Sequence, residues 1–138
     1  MNAPVPRLLG THEMRVYWED TDAGGIVYYA NYLKFFERAR TEWLRSIGID
    51  QQRLRDRDGV VFVVADARIT FHAPARLDDR LRVDVTLREA GRASLVLEQS
   101  AWRDSTLLAS GDVRVGCVDL ATWRAQRIPG PVLEAIDA

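Results

Sequence analysis

Two carboxylates and two glycines fall close together in Asp20-Thr21-Asp22-Ala23-Gly24-Gly25. An aromatic run, Ile26-Val27-Tyr28-Tyr29-Ala30-Asn31-Tyr32, follows directly. A carboxylate can attack a carbonyl carbon or take a proton from water. If a helix starts just after the glycines, its first backbone N–H groups have no partner inside the helix and can hold a developing oxyanion. A carboxylate beside such N–H groups suits acyl transfer to water. Each residue also has an ordinary reading. An acid before a helix most often makes an Asx-turn or an N-cap. Glycines make turns, and an aromatic cluster at a helix start packs a core.

The flanking pattern supplies the elements that must position these groups. Residues 14–19 carry Val, Tyr and Trp and read as a strand. After the loop at 20–25, apolar residues recur at Tyr32, Phe35, Phe36, Ala39, Trp43, Leu44 and Ile47, a helical spacing, and Gly48 is placed to end that helix. Residues 1–12, with Pro4, Pro6 and Gly10, read as a loose lead-in, and residues 51–59 as a loop or ragged helical turn. The rest is largely strand. A continuous apolar run covers 60–64, and Ala67, Ile69 and Phe71 alternate with polar residues, as do Leu81, Val83, Val85 and Leu87. Strands at 95–102 and 107–118 are separated by turn signals at 89–92 and 103–106, and Gly130-Pro131 opens a short final helix. One strand, one long helix and an antiparallel meander make an α+β domain spanning 1–138. The sheet's open edges invite a second copy.

Composition narrows the chemistry. The chain has 138 residues, 47% hydrophobic and 28% charged, with a net charge of −1, which argues against a nucleic-acid partner. Cys117 is the sole cysteine, so no internal disulfide forms. Neither a secretory apolar run nor a membrane-length span is visible, and the expected location is cytoplasmic. His12, His72 and Cys117 lack zinc-site spacing, so no metal is expected. No nucleophile elbow, P-loop or dinucleotide fingerprint occurs.

Arg15-Val16, Thr21-Asp22 and Gly25-Ile26-Val27, in that order and spacing, resemble the active-site signature of the 4-hydroxybenzoyl-CoA thioesterase family. The continuation YYANYLKFFERARTEWL is similar to its bacterial YbgC branch, acyl-CoA thioesterases associated with the Tol-Pal system, and FHAPARLDDRLRV resembles the family's second segment. The resemblance implies a hotdog fold, in which a curled antiparallel sheet wraps a long central helix. It also implies homodimers that commonly pair into homotetramers, with active sites at the subunit boundary. It makes Asp22, not Asp20, the catalytic acid, and the backbone N–H of Tyr29 the carbonyl polariser. Many YbgC members carry histidine where this chain has Tyr29, and a tyrosine there resembles the hydroxybenzoyl-specific relatives. Gly25, Tyr28 and Tyr32 are the expected substrate-binding residues. Coenzyme A enters as part of an acyl-CoA substrate, so no separate cofactor is expected. Arg76, Arg80, Arg82, Arg88 and Arg92 are available to its phosphates.

Two routes stay open for Asp22: attack on the thioester carbon to give a mixed anhydride, or activation of water. Two other functions compete. A hotdog hydratase or dehydratase would need a histidine–acid pair, and the loop has no histidine. A non-catalytic module binding an acyl carrier protein or an envelope complex is the alternative.

Overall fold

The computed structural model describes residues 4–137. The elements run β1 (Arg7–Arg15), a single 3-10 turn (Trp18–Asp20), α1 (Asn31–Ser46), α2 (Gln51–Asp58), β2 (Val60–Phe71), β3 (Arg80–Ala90), β4 (Ser94–Arg103), β5 (Thr106–Asp119) and α3 (Gly130–Asp137). The five strands form one antiparallel sheet in the order β1-β3-β4-β5-β2.

The alternation in β3 and β4 has its expected consequence. Leu81, Val83, Val85, Leu87, Leu95, Leu97 and Ala101 are buried on one face, and α1 lays Tyr32, Phe35, Phe36, Ala39, Trp43 and Leu44 against that core. On the opposite face Arg88 pairs with Glu98, and Arg82 pairs with Asp84 and lies over the Trp102 ring. Two of the arginines considered for phosphates therefore already have partners. Gln99 is the polar exception in the core. Its amide donates to the Phe36 carbonyl and accepts from Arg40, so its polar atoms are satisfied. Burial of Arg40 pulls its guanidinium below the ordinary arginine value.

Three expectations need correction. The lead-in expected over 1–12 is a strand from Arg7 onward, while residues 1–3 lie outside the described residues. Pairing along β3 organises this segment, despite its weak apolar signal. The strand expected at 14–19 ends at Arg15, and Trp18–Asp20 is a 3-10 turn, because the Asp20 carboxylate accepts the Tyr17 N–H at 2.8 Å. Residues 51–58, expected as a loop or a ragged helical turn, form a regular helix, capped by Asp50 at one end and by Gly59 (φ +66°) at the other.

β2 closes one side of the sheet as a strand of 12 residues whose outer edge has no neighbour among the described residues. Val64 and Phe71 are both exposed along it. No helix among the described residues is long and apolar enough to cross a membrane.

Candidate active site

Between the 3-10 turn and α1 the chain makes a small hairpin, with Thr21 bridging to Val27. The Asp22 N–H donates to the Ile26 carbonyl at 2.9 Å, and the Gly25 N–H to the Asp22 carbonyl at 3.0 Å. Gly25 has φ +82°, a left-handed conformation that side chains other than glycine's rarely tolerate. The Asp22 carboxylate is exposed, and its Oδ1 accepts the Gly24 N–H at 2.9 Å in an Asx-turn. Its Oδ2 has no partner among the described residues. The ordinary structural role thus uses one oxygen and leaves the other facing solvent.

Asp20 is different. It is 6% exposed, and its carbonyl accepts both the Tyr28 N–H and the Asn31 side-chain amide, tying the loop to the start of α1. Two acids spaced by one residue therefore diverge: one is committed to the fold and the other is presented.

The entry to α1 proceeds through i→i+3 bonds. Asn31, Tyr32 and Leu33 donate to the carbonyls of Tyr28, Tyr29 and Ala30. No side chain caps this end, and the first turn contains no acid. The N–H groups of Tyr29 and Ala30 have no acceptor among the described residues. They are the orphan donors expected at a helix start, at the positive end of the helix dipole.

Beside these donors lies a hollow of about 410 Å³, lined by Ile26, Val27, Tyr29, Tyr32, Phe71, His72, Ala73 and Pro74. Its walls are chiefly apolar and aromatic. Phe71 meets Tyr29 edge-on at 6.1 Å between ring centroids and Tyr32 at 5.7 Å. Of the expected substrate-binding residues Tyr32 lines this hollow, as does the expected catalytic Tyr29, whereas Gly25, Tyr28 and the expected catalytic Asp22 are not among its lining residues. Burial lifts the Tyr32 phenol above the ordinary tyrosine value, with Arg103 opposing and Asp79 adding to the rise. The exposed Tyr28 phenol is also raised, first by its hydrogen bond to Tyr29 and the charge there, with a smaller contribution from Asp22.

Phe71, Ala73 and Pro74 complete the hollow and were not singled out from the sequence. They arrive from the far end of β2, through a backbone bond from Val27 to Ala75 and a bridge between Ile26 and Arg76. The FHAPAR segment carried the only signal for them. His72 stands on the rim, 2.8 Å from the Ser110 hydroxyl. Cys117 is buried away from the site, and burial raises its thiol.

Comparison with known proteins places the fold in a family. The model of the thioesterase-like superfamily matches residues 16–136. The acyl-CoA thioesterase YbgC of Haemophilus influenzae is 43% identical over 88% of this chain and 90% of its own length. A probable thioesterase from Bartonella henselae superposes with a TM-score of 0.83 at 32% identity, covering 87% of this chain and 98% of that one. A 1,4-dihydroxy-2-naphthoyl-CoA thioesterase from Synechocystis gives 0.84 at 29% identity, over 91% and 93%. With the family model matching most of its length and its curled α+β sheet around α1 shared with solved thioesterases, this chain belongs to the thioesterase-like superfamily, in the YbgC branch, and has the hotdog fold.

Proposed function

We propose that this chain hydrolyses an acyl-CoA thioester to the free acid and coenzyme A, using Asp22 Oδ2 and the free N–H groups at the start of α1. The observation that carries the reading is their conjunction: an exposed carboxylate oxygen without a partner, on a turn that leads directly into two unbonded backbone donors and an apolar hollow. The thioester oxygen accepts from the Tyr29 N–H, assisted by that of Ala30. As the carbon becomes tetrahedral its oxygen gains charge, and donors fixed before the reaction stabilise that charge without reorganising. Asp22 either adds to the carbon, with water then cleaving the mixed anhydride, or takes the proton from a water that adds. In both routes the C–S bond breaks and the sulfur leaves as a thiolate, a good enough leaving group that no strong general acid is required.

Gly25 holds the turn that presents Asp22, Tyr28 edges it, and Tyr29 and Tyr32 shape the acyl side. This arrangement supports acyl-CoA as substrate and requires no metal or separate cofactor.

The open edge of β2 supports pairing with a second copy, and the proposal includes a homodimer that assembles further into a homotetramer. Light scattering on the purified chain checks the mass. The family resemblance further supports a cytoplasmic enzyme working with the Tol-Pal system, and an acyl carrier protein as a second acyl donor.

The deciding experiment is free-thiol release from a panel of acyl-CoAs by the parent and by Asp22→Asn. Removing the carboxylate is expected to lower kcat by about 10²–10⁴-fold, the usual range for an acid–base group, with the melting midpoint nearly unchanged. Parental turnover by the variant would remove Asp22 from the mechanism. No turnover by the parent on any acyl-CoA, together with capture of acyl carrier protein, would favour the binding-module alternative.

A further inference from the structure

The segment joining β2 to β3 borders the hollow. Its far end pairs with Val16 through the Asp78 N–H and the Asp79 carbonyl and accepts from Arg15 at the Asp78 carbonyl, and one ion pair joins it to the end of β4. The Arg103 Nη1, at the end of β4, donates to Asp79 Oδ2 at 2.8 Å and to the Pro74 carbonyl at 3.0 Å. The same Asp79 oxygen accepts the Arg76 N–H at 2.9 Å. The Asp79 N–H and carbonyl are also used, by the Arg76 carbonyl and the Val16 N–H. Residues 74–79 are thus folded around one carboxylate and pinned to the β4–β5 hairpin, whose two-residue turn contains Asp104 at φ +51°.

This segment reaches the catalytic loop through two backbone links, the bond from Val27 N–H to the Ala75 carbonyl at 2.8 Å and the Ile26–Arg76 bridge. Val27 lies two residues before Tyr29, and Ala73 and Pro74 form part of the wall of the hollow. We propose that the Arg103–Asp79 pair is a positioning device for thioester hydrolysis: it clamps the 74–79 segment against residues 26–27 and so fixes the direction of the Tyr29 and Ala30 N–H groups. This rests on the hydrolase reading given above.

Two further observations fit. Burial alone would raise the Asp79 carboxyl, but the Arg76 N–H and the Arg103 guanidinium outweigh it and hold the group below the usual carboxylate range, so the pair stays charged. Both charges also reach the phenol of Tyr32, which lines the same hollow. Neither Arg103 nor Asp79 lines the hollow itself, so the expected effect falls on kcat rather than on substrate affinity.

The test compares the parent with Arg103→Ala and Arg103→Lys. Its readouts are kcat and KM for propionyl-CoA and 4-hydroxybenzoyl-CoA, and amide hydrogen exchange at Val27 and at Val85 in the central strand β3. Misplacement of a reacting group by about 1 Å can cost about 100-fold. Arg103→Ala is expected to lower kcat by about tenfold or more on this ground, with KM changed by less than about threefold. Exchange at Val27 should accelerate while Val85 stays protected. Lysine keeps a donor and a charge, and should restore part of kcat together with Val27 protection. A folded Arg103→Ala protein with parental kcat overturns the proposal, as does a fall in kcat with Val27 exchange unchanged. If the alanine variant does not fold, Arg103→Lys and Asp79→Asn decide on the same readouts. Loss of kcat that follows Val27 exchange supports the clamp, and parental behaviour in both variants refutes it. A parent inactive on every acyl-CoA removes the hydrolase reading and the proposal with it, whereas an active parent with an unaffected Arg103→Ala removes the proposal alone.

Discussion

The starts of α1 and α2 treat their leading N–H groups in different ways: a side chain caps α2, whereas the Tyr29 and Ala30 N–H groups ahead of α1 stay unbonded among the described residues. At α2, Asp50 sits in extended backbone and turns Oδ1 onto the N–H groups of Gln52 and Arg53, at 3.0 and 3.2 Å. At α1, Ala30 offers no side-chain oxygen, no acid occupies the first turn, and the nearby Asp22 spends Oδ1 on its own loop. Capping a helix start is typically worth about 0.5–2 kcal/mol. The chain therefore uses this device on a short surface helix and omits it on the long helix that carries its core. Leaving α1 uncapped makes sense if its donors are meant for a substrate oxygen. On the proposed mechanism, the contrast separates a helix end closed by its own side chain from one left open to a substrate.

The largest effect that can break this contrast comes from removing one donor. Tyr29→Pro deletes a single N–H that makes no bond within the described residues, whereas Tyr29→Phe keeps the N–H and removes only the hydroxyl. Loss of one oxyanion donor typically costs about 10²–10³ in rate. The proline variant is expected to lose kcat by about that factor and the phenylalanine variant less than about tenfold, measured by steady-state thiol release. Equal losses in the two would assign the role to the phenol and dissolve the contrast.

The complementary change is at the capped end. Asp50→Ala should lower unfolding free energy by about 0.5–2 kcal/mol in a denaturant titration, leaving kcat at the parental value. A fall in kcat here would mean that α2 is coupled to the site, and the two helix starts could no longer be treated as separate functions.

How far the chain announces all this differs by element. The loop at 20–25 was legible because its acids and glycines are turn formers, and the stripe from Tyr32 to Ile47 because core packing constrains residue type at helical spacing. The alternation through β3 and β4 was legible for the same reason. α2 was not, since QQRLRDRD buries only Leu54 and owes its definition to caps at its two ends. The first half of β1 was hidden because its pairing with β3, not its own composition, makes it a strand. At the site, the roles expected of Asp22 and Tyr29 followed from a local motif. Phe71, Pro74 and the Arg103–Asp79 pair depend on long-range contacts that spacing cannot express, and appear only once the end of β4 meets the β2–β3 segment.

The smallest expected effect is also the sharpest on the comparison, because it holds backbone strain constant. Gly25 on the turn that carries Asp22 and Gly59 at the end of α2 have φ of +82° and +66°, and a Cβ added at either would meet nothing within 4 Å. Alanine at either position therefore introduces conformational strain without a clash, worth about 1–2 kcal/mol in the left-handed region. The two variants should lose similar stability. Strain at Gly59 falls on the half-buried junction of α2 and β2, where its carbonyl accepts the Leu120 N–H, and has no expected consequence for turnover. Strain at Gly25 relaxes through the bond from its N–H to the Asp22 carbonyl and through the pairing of Asp22 with Ile26, and so shifts the carboxylate relative to the α1 donors. Gly25→Ala is expected to lower kcat by about tenfold, and Gly59→Ala to leave it unchanged, at matched melting midpoints. If both variants keep full activity, the turn does not set the position of Asp22, and the open end of α1 must be aligned with its carboxylate by some other part of the loop.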